Sequence, residues 1–315
     1  MRLVTWHGEM RSMAIEHKPL QRDITVVLDG LSFLECPRWH DGRLWVSDFY
    51  TEQVLATDGR GGTEVMAAVP GQPSGLGFLP DGRALVVSMR DKRILVRDDA
   101  GELAEHADLS GTVPAALNDM VVDERGRAYV GNFGFDLMNG APLRDTTLTR
   151  VDPDGTVTTV ADGLAFPNGM VILPGGVLVV AETFAARLTA FDVRDDGGLA
   201  NRREWARFGE PPATDDVEAA LGRLAVAPDG ICADAEGAIW VADAQHARLL
   251  RVREGGEVVE ELPTGLGVFA CMLGGEDGRT LFACAAPSFA EHERRAAREA
   301  RLLAVEVDVP HAGLP

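Results

Sequence analysis

One sequence pattern occurs six times along this chain, and that repetition constrains the fold more than any other feature. Each copy has a leading residue, a short apolar strand pattern, a turn that usually contains glycine, and a second strand pattern. A repeat of roughly forty residues that holds four short strands is typical of a β-propeller blade. The sequence therefore predicts an all-β, six-bladed β-propeller with four-stranded blades, whose leading residues are Glu35, Ser74, Asn118, Asn168, Asp229 and Ala270.

The two ends of the repeat array indicate how the ring closes. One strand pattern begins at Ile24, before the first copy, and another begins at Arg301, after the sixth copy. If both strands join one shared blade, no open sheet edge remains at that place. We therefore predict a single propeller domain over residues 24–315, preceded by an N-terminal extension of residues 1–23.

Three segments interrupt the repeat, and long connections of this kind commonly lie at the rim of a binding site. Residues 201–223 are polar with a weakly helical tail, which favours a lid-like loop ahead of Asp229. Residues 136–145 form a second long connection, predicted at the rim. Residues 290–301 are charged and rich in alanine, which predicts a surface helix.

The composition argues against several classes of partner. The chain of 315 residues has a formal net charge of −19, which disfavours binding to nucleic-acid phosphates and to anionic membranes. Its four cysteines are widely spaced, which indicates free thiols in a reducing compartment. No apolar run has the length of a signal-peptide core or a membrane span. We therefore expect a cytoplasmic monomer or homodimer that acts on a small-molecule substrate.

The leading residues are the main candidates for chemistry, because the innermost strand of each propeller blade runs beside the central tunnel. Four of them carry side-chain oxygens: the carboxylates of Glu35 and Asp229 and the amides of Asn118 and Asn168. Each one alone could simply begin a turn, as Asp and Asn often do. Two carboxylates on one axis repel each other unless a cation neutralises them. An all-oxygen set predicts one divalent ion, calcium first, with magnesium, manganese or zinc as alternatives.

Four motifs resemble the signature of the senescence-marker-protein/gluconolactonase/luciferin-regenerating enzyme family: Glu35-Cys-Pro-Arg-Trp, Asn118-Asp, Pro167-Asn168-Gly-Met and Pro228-Asp229-Gly-Ile. The family consists of six-bladed, calcium-dependent propellers that include sugar lactonases, and the resemblance covers roughly residues 24–308. By this resemblance, Glu35, Asn168 and Asp229 are direct metal ligands, and Asn118 is a fourth ligand or a substrate contact. The resemblance also implies that Asp229 is the catalytic residue, acting as general base or as nucleophile.

One position departs from the family pattern. Members that act on gluconolactone-like substrates tend to carry an arginine two positions before the asparagine of the second motif, and this chain has Ala116 there. Loss of a guanidinium that could bind sugar hydroxyls argues against an aldonolactone substrate. Further substrate contacts are predicted at Ser74, a hydrogen-bonding group of the rim, at Asn132 and Phe133, which begin an aromatic run, and at His246.

These residues together predict a metal-dependent hydrolase of carboxylic esters that opens a lactone. The metal would polarise the ester carbonyl, and Asp229 would activate the attacking water. Three alternatives use the same propeller: hydrolysis of a phosphotriester or fluorophosphate, a pathway-specific isomerase or cyclase reaction, and a non-catalytic binding scaffold.

Overall fold

A computed structural model describes residues 22–313 and contains six four-stranded antiparallel sheets, which confirms the predicted propeller. The first strand, β1 (Thr25–Leu31), belongs to the sixth blade, and each of the other five blades is built from four consecutive strands. These strands are β2 (Leu34–His40), β3 (Arg43–Asp48), β4 (Gln53–Thr57) and β5 (Thr63–Ala68); β6 (Pro73–Phe78), β7 (Ala84–Ser88), β8 (Arg93–Arg97) and β9 (Leu103–Asp108); β10 (Leu117–Val122), β11 (Ala128–Asn132), β12 (Thr146–Val151) and β13 (Val157–Leu164); β14 (Pro167–Leu173), β15 (Val177–Glu182), β16 (Arg187–Val193) and β17 (Leu199–Arg207); and β18 (Pro228–Ala233), β19 (Ile239–Asp243), β20 (Arg248–Val252) and β21 (Val258–Pro263).

The sixth blade closes the ring with strands from both ends of the described chain. It contains β22 (Gly267–Gly274), β23 (Thr280–Ala286) and β24 (Ala300–Glu306), and β1 pairs antiparallel with β24. The innermost strands of neighbouring blades contact one another in a complete circle. The shared blade predicted from the two terminal strand patterns is therefore confirmed.

The predicted N-terminal extension falls mostly beyond the part of the chain that the structure covers. Its residues 1–21 lie outside the described residues, whereas Arg22 forms ion pairs with Glu260 of β21 and with Asp308. Among residues 22–313, no helix combines the length and the apolar character that a membrane crossing requires. All four cysteines are buried and free, as expected.

A β-bulge interrupts every innermost strand close to its leading residue. In β2 the register of pairing with β3 shifts between Glu35 and Arg38, and a shift occurs at the matching place in the other five blades. A bulge bends its strand and changes the direction of the side chains around it. The bulge therefore frees the leading side chain from the regular alternation of the strand, next to the central axis.

Close packing at the axis corrects the predicted leading residue of the sixth blade. A Cβ added to Gly169 would lie 2.7 Å from the Cα of Gly230, and one added to Gly230 would lie 2.5 Å from the Cα of Ala270. These three residues thus occupy equivalent positions, each one residue after the leading residue of its blade. The leading residue of blade six is therefore Phe269 rather than Ala270. Phe269 lies within the register shift of β22, between Val268 and Ala270, as Asp229 lies within that of β18, between Pro228 and Ile231.

The three interrupting segments cover one end of the tunnel, with two corrections to their predicted extents. Residues 201–207 belong to β17, the outer strand of blade four, so the lid connection begins after Arg207 and contains α1 (Val217–Leu221). The helix predicted over residues 290–301 is only α2 (Glu291–Arg294), since the chain returns to pairing in β24. Strand pairing of β17 and β24 therefore shortens both segments relative to their predicted extents.

Two of the covering segments are joined directly. The amide of Leu143, after the short 3-10 turn Leu137–Asn139, donates to the carbonyl of Asp215 at 2.8 Å. Asp216 caps α1 by accepting a hydrogen bond from the Ala219 amide at 2.7 Å. The lid is therefore anchored to blade three as well as to blades four and five.

Candidate functional site

Four leading residues meet at the floor of one cavity beneath the covering segments. Glu35, Asn118, Asn168 and Asp229 all line this cavity, and their side chains are nearly buried, at 7% to 8% exposure. They come from four different blades, so that closure of the propeller, rather than any local stretch of sequence, brings them together. We call this set the floor.

The two amides of the floor are oriented by the protein. Asn118 donates from Nδ2 to the carbonyl of Pro167 at 3.2 Å, and Asn168 donates from Nδ2 to Thr183 Oγ1 at 3.3 Å. Thr183 in turn donates to the carbonyl of Pro228 at 2.7 Å. No described residue donates to Oδ1 of either asparagine. Both amide oxygens therefore remain available as acceptors or ligands.

The two carboxylates of the floor have no basic partner among the described residues. Glu35 accepts one hydrogen bond, from the amide of Cys36 at 3.2 Å. Burial, and then the charge of Asp229, raise the pKa of Glu35 well above its usual range. Burial, and then the charge of Asp119, do the same to the pKa of Asp229. A cation beside both groups would offset this cost of burying their ionised forms.

Sequence reasoning missed two charged residues beneath the floor. Arg38 donates from a terminal nitrogen to Asp119 Oδ1 at 2.8 Å, and both side chains are buried. Arg38 is held further by the carbonyls of Pro37 and Met120, at 2.9 and 2.6 Å. The signal was present, because Arg38 stands inside the first motif and Asp119 directly follows Asn118.

The charge of this region matches one divalent ion. When ionised, Glu35, Asp119 and Asp229 carry three negative charges, against the single positive charge of Arg38. No group of three His, Cys, Asp and Glu side chains within residues 22–313 is arranged to hold a metal. A metal at the floor would therefore also need the amide oxygens, and two carboxylates with two amides form a donor set that hard divalent ions favour.

Above the floor, the cavity lies between two aromatic walls. The first wall is contributed by blades one and six and consists of Phe33, Phe49, Tyr50, Phe269 and Phe289. Its rings pack in edge-to-face geometry, with the centroids of Phe33 and Phe269 4.8 Å apart. The space between the walls has a volume of about 80 Å³.

The second wall is contributed by blades three and four and consists of Phe133, Phe166 and Phe184. The centroids of Phe133 and Phe166 are 4.8 Å apart, and those of Phe166 and Phe184 are 5.3 Å apart. Leu137 and Met138 of the blade-three segment and Leu221 of α1 complete the cover. Two of the three interrupting segments thus contribute side chains to the cavity, and Phe289, which directly precedes the third segment, lies in the first wall.

Other predicted contacts lie elsewhere. Of the four substrate contacts predicted besides Asn118, only Phe133 lines the cavity. Ser74 is fully buried, with its Oγ 3.8 Å from Cys36 Sγ and its carbonyl bonded to Ser47. Asn132 is also fully buried, and its amide donates to the carbonyl of Thr147. These two residues pack inside the blades.

His246 and Ala116 are also outside the cavity. His246 places Nδ1 3.0 Å from Asp243 Oδ2, at the end of β19. Ala116 lies in a larger groove that adjoins the cavity and shares Phe133, Leu137, Met138 and Phe289 with it. The position where sugar lactonases tend to carry arginine is therefore next to the site.

Comparison with known proteins agrees with this architecture. Residues 33–286 match the model of a family described as SMP-30/Gluconolactonase/LRE-like region. The chain belongs to this family. The resemblance of the four motifs is thereby confirmed, and the match spans all the leading residues.

Two curated relatives of this SMP-30/gluconolactonase/LRE-like chain are named as lactonases. A pentonolactonase of Haloferax volcanii is 30% identical over 223 residues, which cover 70% of this chain and 69% of the relative. A 6-deoxy-6-sulfogluconolactonase of Pseudomonas putida is 26% identical over 255 residues, or 79% of this chain and 81% of the relative. Among solved structures, a calcium-binding regucalcin of Agrobacterium tumefaciens superposes with a TM-score of 0.74 at 20% identity, covering 94% of this chain and 97% of that one. The structural likeness shows the fold alone.

Proposed function

We propose that this protein is a divalent-metal-dependent lactonase, which hydrolyses a cyclic carboxylic ester at the floor of the cavity. The observation that carries the proposal is the convergence of four oxygen-bearing side chains, from four blades, on the floor of one apolar cavity. Two of these side chains are buried carboxylates without a basic partner among the described residues. The names of the curated relatives support the reaction class.

Glu35, Asn118, Asn168 and Asp229 would hold the ion. Calcium is the first choice, because the donors are all oxygens and a structural relative is described as calcium-binding. Magnesium, manganese and zinc are the alternatives. The bound ion supplies a Lewis acid that polarises the ester carbonyl and stabilises the developing oxyanion.

Asp229 is proposed as the general base. It stands at the floor, and its carboxylate is free of any ion pair with the residues that the structure describes. Asp229 would accept a proton from the attacking water as the new carbon–oxygen bond forms. When the ring carbon–oxygen bond breaks, the same proton is returned to the leaving alkoxide, which yields the hydroxy acid.

The surrounding residues serve this chemistry by position and by exclusion of water. The chain from Asn168 through Thr183 to Pro228 links the innermost strands of blades four and five, and so fixes two neighbouring parts of the floor. The aromatic walls leave little room for bulk water, and electrostatic interactions are stronger in such an environment.

The test is hydrolysis of δ-valerolactone by the purified full chain, before and after removal of metal with a chelator. We expect turnover to fall at least about 100-fold on chelation and to return with calcium or one of the alternative ions. Asp229→Asn should lower kcat by about 10²- to 10⁴-fold, the usual contribution of a general base. Asp81→Asn, in an exposed turn, is the matched control and should keep wild-type turnover.

Three results would contradict the proposal. Turnover that persists in metal-free protein would remove the role of the ion. Turnover that Asp229→Asn retains would remove the base. If metal-loaded protein hydrolysed paraoxon but no lactone, the phosphotriesterase alternative would replace the lactonase.

A further inference from the structure

Within residues 22–313, two residues with polar side chains line the cavity besides the four floor residues, and both side chains already have partners. Tyr50 donates its hydroxyl to the carbonyl of Phe289 at 2.6 Å. Thr183 donates to Pro228 and accepts from Asn168. No arginine, lysine, histidine, serine or glutamine lines the cavity among the described residues. Above the floor, therefore, the walls leave a hydroxylated ligand no free hydrogen-bonding group.

The leading residue of blade six strengthens this difference between floor and walls. Phe269 occupies the position that carries an oxygen ligand in four other blades, and its ring packs against Phe33. On the blade-six side of the floor, an aromatic ring thus occupies the position that a carboxylate occupies in blades one and five. A substrate ring that reaches the floor lies against this face.

Phe166 is held in the wall against its own backbone preference. Its φ is 60°, in the left-handed region that bulky residues rarely adopt, and it precedes Pro167. The ring nevertheless contacts Phe133, Phe135 and Phe184. Gln72, at the equivalent place in blade two, has a φ of 73°, so the conformation belongs to the entry of the blade, and blade four uses this place for an aromatic side chain in the cavity wall.

The adjoining groove has a volume of about 930 Å³ and a mixed lining. Met89, Pro114, Ala115 and Ala116 continue the apolar surface of the cavity, and the polar or charged residues of the lining are Gln72, Arg90, Asp136, Asn139, Glu291, His292 and Arg295. Because the groove shares Leu137 and Met138 with the cavity, these two side chains stand between the floor and the groove. A substituent on a small ring could pass between them.

We propose that the substrate is an apolar lactone, with its ester at the floor, its ring between the aromatic walls and an alkyl or aryl substituent directed to the groove. This inference rests on the proposed lactonase function. It excludes polyhydroxylated sugar lactones as good substrates, because each ring hydroxyl would be buried without a partner.

Three lactones with the same six-membered ring provide the test: D-glucono-1,5-lactone, δ-valerolactone and δ-decalactone, which carries a pentyl chain. With metal-loaded enzyme, we expect kcat/KM to rise in that order. The two extremes should differ by at least about 100-fold, the discrimination that an apolar pocket gives against a single added hydroxyl. Spontaneous hydrolysis is measured in parallel and subtracted.

The variants change the wall without changing the floor. Gln72 has a φ of 73° and precedes Pro73, so blade two shows that glutamine accepts the backbone conformation of Phe166. Phe166→Gln should lower kcat/KM for δ-decalactone at least about tenfold, whereas Phe166→Leu, which stays apolar, should remain within about threefold of wild type.

A second variant avoids the core in case Phe166→Gln does not fold. Met138 is 43% exposed, so Met138→Gln should fold and should lower kcat/KM for δ-decalactone several-fold. Val65→Gln, at a 53% exposed position of β5 on the outer edge of blade one, is the matched control and should leave all three values unchanged.

Failure of the substrate proposal can be distinguished from failure of the proposed lactonase function. If D-glucono-1,5-lactone is hydrolysed as well as or better than δ-decalactone, the apolar substrate is wrong and the lactonase function stands. If Phe166→Gln folds and keeps the wild-type preference among the three lactones, the walls do not select the substrate. Where Phe166→Gln does not fold, an unchanged preference in Met138→Gln leads to the same conclusion. If no lactone is hydrolysed by metal-loaded protein, both proposals are overturned.

Discussion

Two sets of buried carboxylates lie in this propeller, and they differ in their partners. At the end of β19, Asp243 accepts a hydrogen bond from the Ala227 amide at 3.0 Å and an ion pair from Arg248 at 2.8 Å. At the floor, Glu35 and Asp229 form no ion pair with any described residue, because the nearby Arg38 pairs with Asp119 instead. Both sets are almost inaccessible to solvent. The first set is satisfied by the chain itself, whereas the second set is the one that the proposed divalent ion would neutralise.

The contacts of Asp243 recur at the equivalent place in blade four. In blade four, Glu182 at the end of β15 accepts from the Ala165 amide and from Arg187, just as Asp243 does with Ala227 and Arg248 in blade five. In both blades the arginine begins the third strand and lies five residues after the acid. These acids connect the second and third strands to the chain entering the blade. Their expected role is stability, whereas the floor has the expected role of binding and catalysis.

The largest expected effect is on the free energy of unfolding, when the carboxylate of Asp243 is removed. Asp243→Ala removes the acceptor of the Ala227 amide and of Arg248 Nε, and leaves Arg248 with the half-exposed Glu261 as its ion-pair partner among the described residues. Removing one partner of a buried ion pair commonly costs about 3–5 kcal/mol. Urea unfolding should show that loss. The matched control, Asp81→Ala, removes an exposed acid that pairs with Arg83 and should stay within about 0.5 kcal/mol of wild type. Equal stability of the two variants would break the contrast.

A smaller effect is expected on the pH dependence of stability. Burial alone would raise the pKa of Glu182, but hydrogen bonds from Arg187 and Thr189 lower it below its usual value of 4.5. An acid whose pKa is lowered by folding contributes stability that is complete above the unfolded pKa. That contribution is lost as the pH falls through the folded pKa.

The measurement for Glu182 is the free energy of unfolding in urea from pH 7 downwards. Glu182→Gln should reduce the loss of stability that occurs as the pH is lowered below 4.5, relative to wild type. An unchanged pH slope in this variant would mean that the carboxylate is not stabilised in its ionised form. Thr189→Val, which removes one donor, should give an intermediate slope.

The sequence allowed the ring to be predicted because the repeat is explicit in the strands next to the axis. Each of the first five leading residues could be identified, since a Pro, Gly or paired polar residue marks the bulge. The sixth could not, because β22 contains only small and apolar residues, and no proline or pair of polar residues marks its bulge. Phe269 emerged only from the contact between Gly230 and Ala270.

Other parts of the site depend on tertiary contacts that have no local pattern. The buried pair of Arg38 and Asp119 joins residues that are 81 positions apart. The aromatic walls combine side chains from strand ends and from connections of four blades. Phe33 and Phe166 each lie two residues before a leading residue, but the same place holds Gln72, Ala116 and Ala227 in other blades, so the repeat itself does not predict an aromatic wall. Ser74 leads its blade as predicted, yet it is oriented into the packing against Cys36.

The central claim is that the floor holds one divalent ion, and calcium titration by calorimetry tests it most directly. For chelator-treated wild-type protein we predict binding of one calcium ion per chain. Glu35→Gln should weaken that binding by more than about 100-fold, because even outer partners of metal ligands contribute 10- to 100-fold. Asp243→Asn, which keeps the side-chain shape of an acid that Arg248 already neutralises, should bind calcium as wild type does. Wild-type protein that binds no divalent ion, or equal affinities for wild type and Glu35→Gln, would contradict the account.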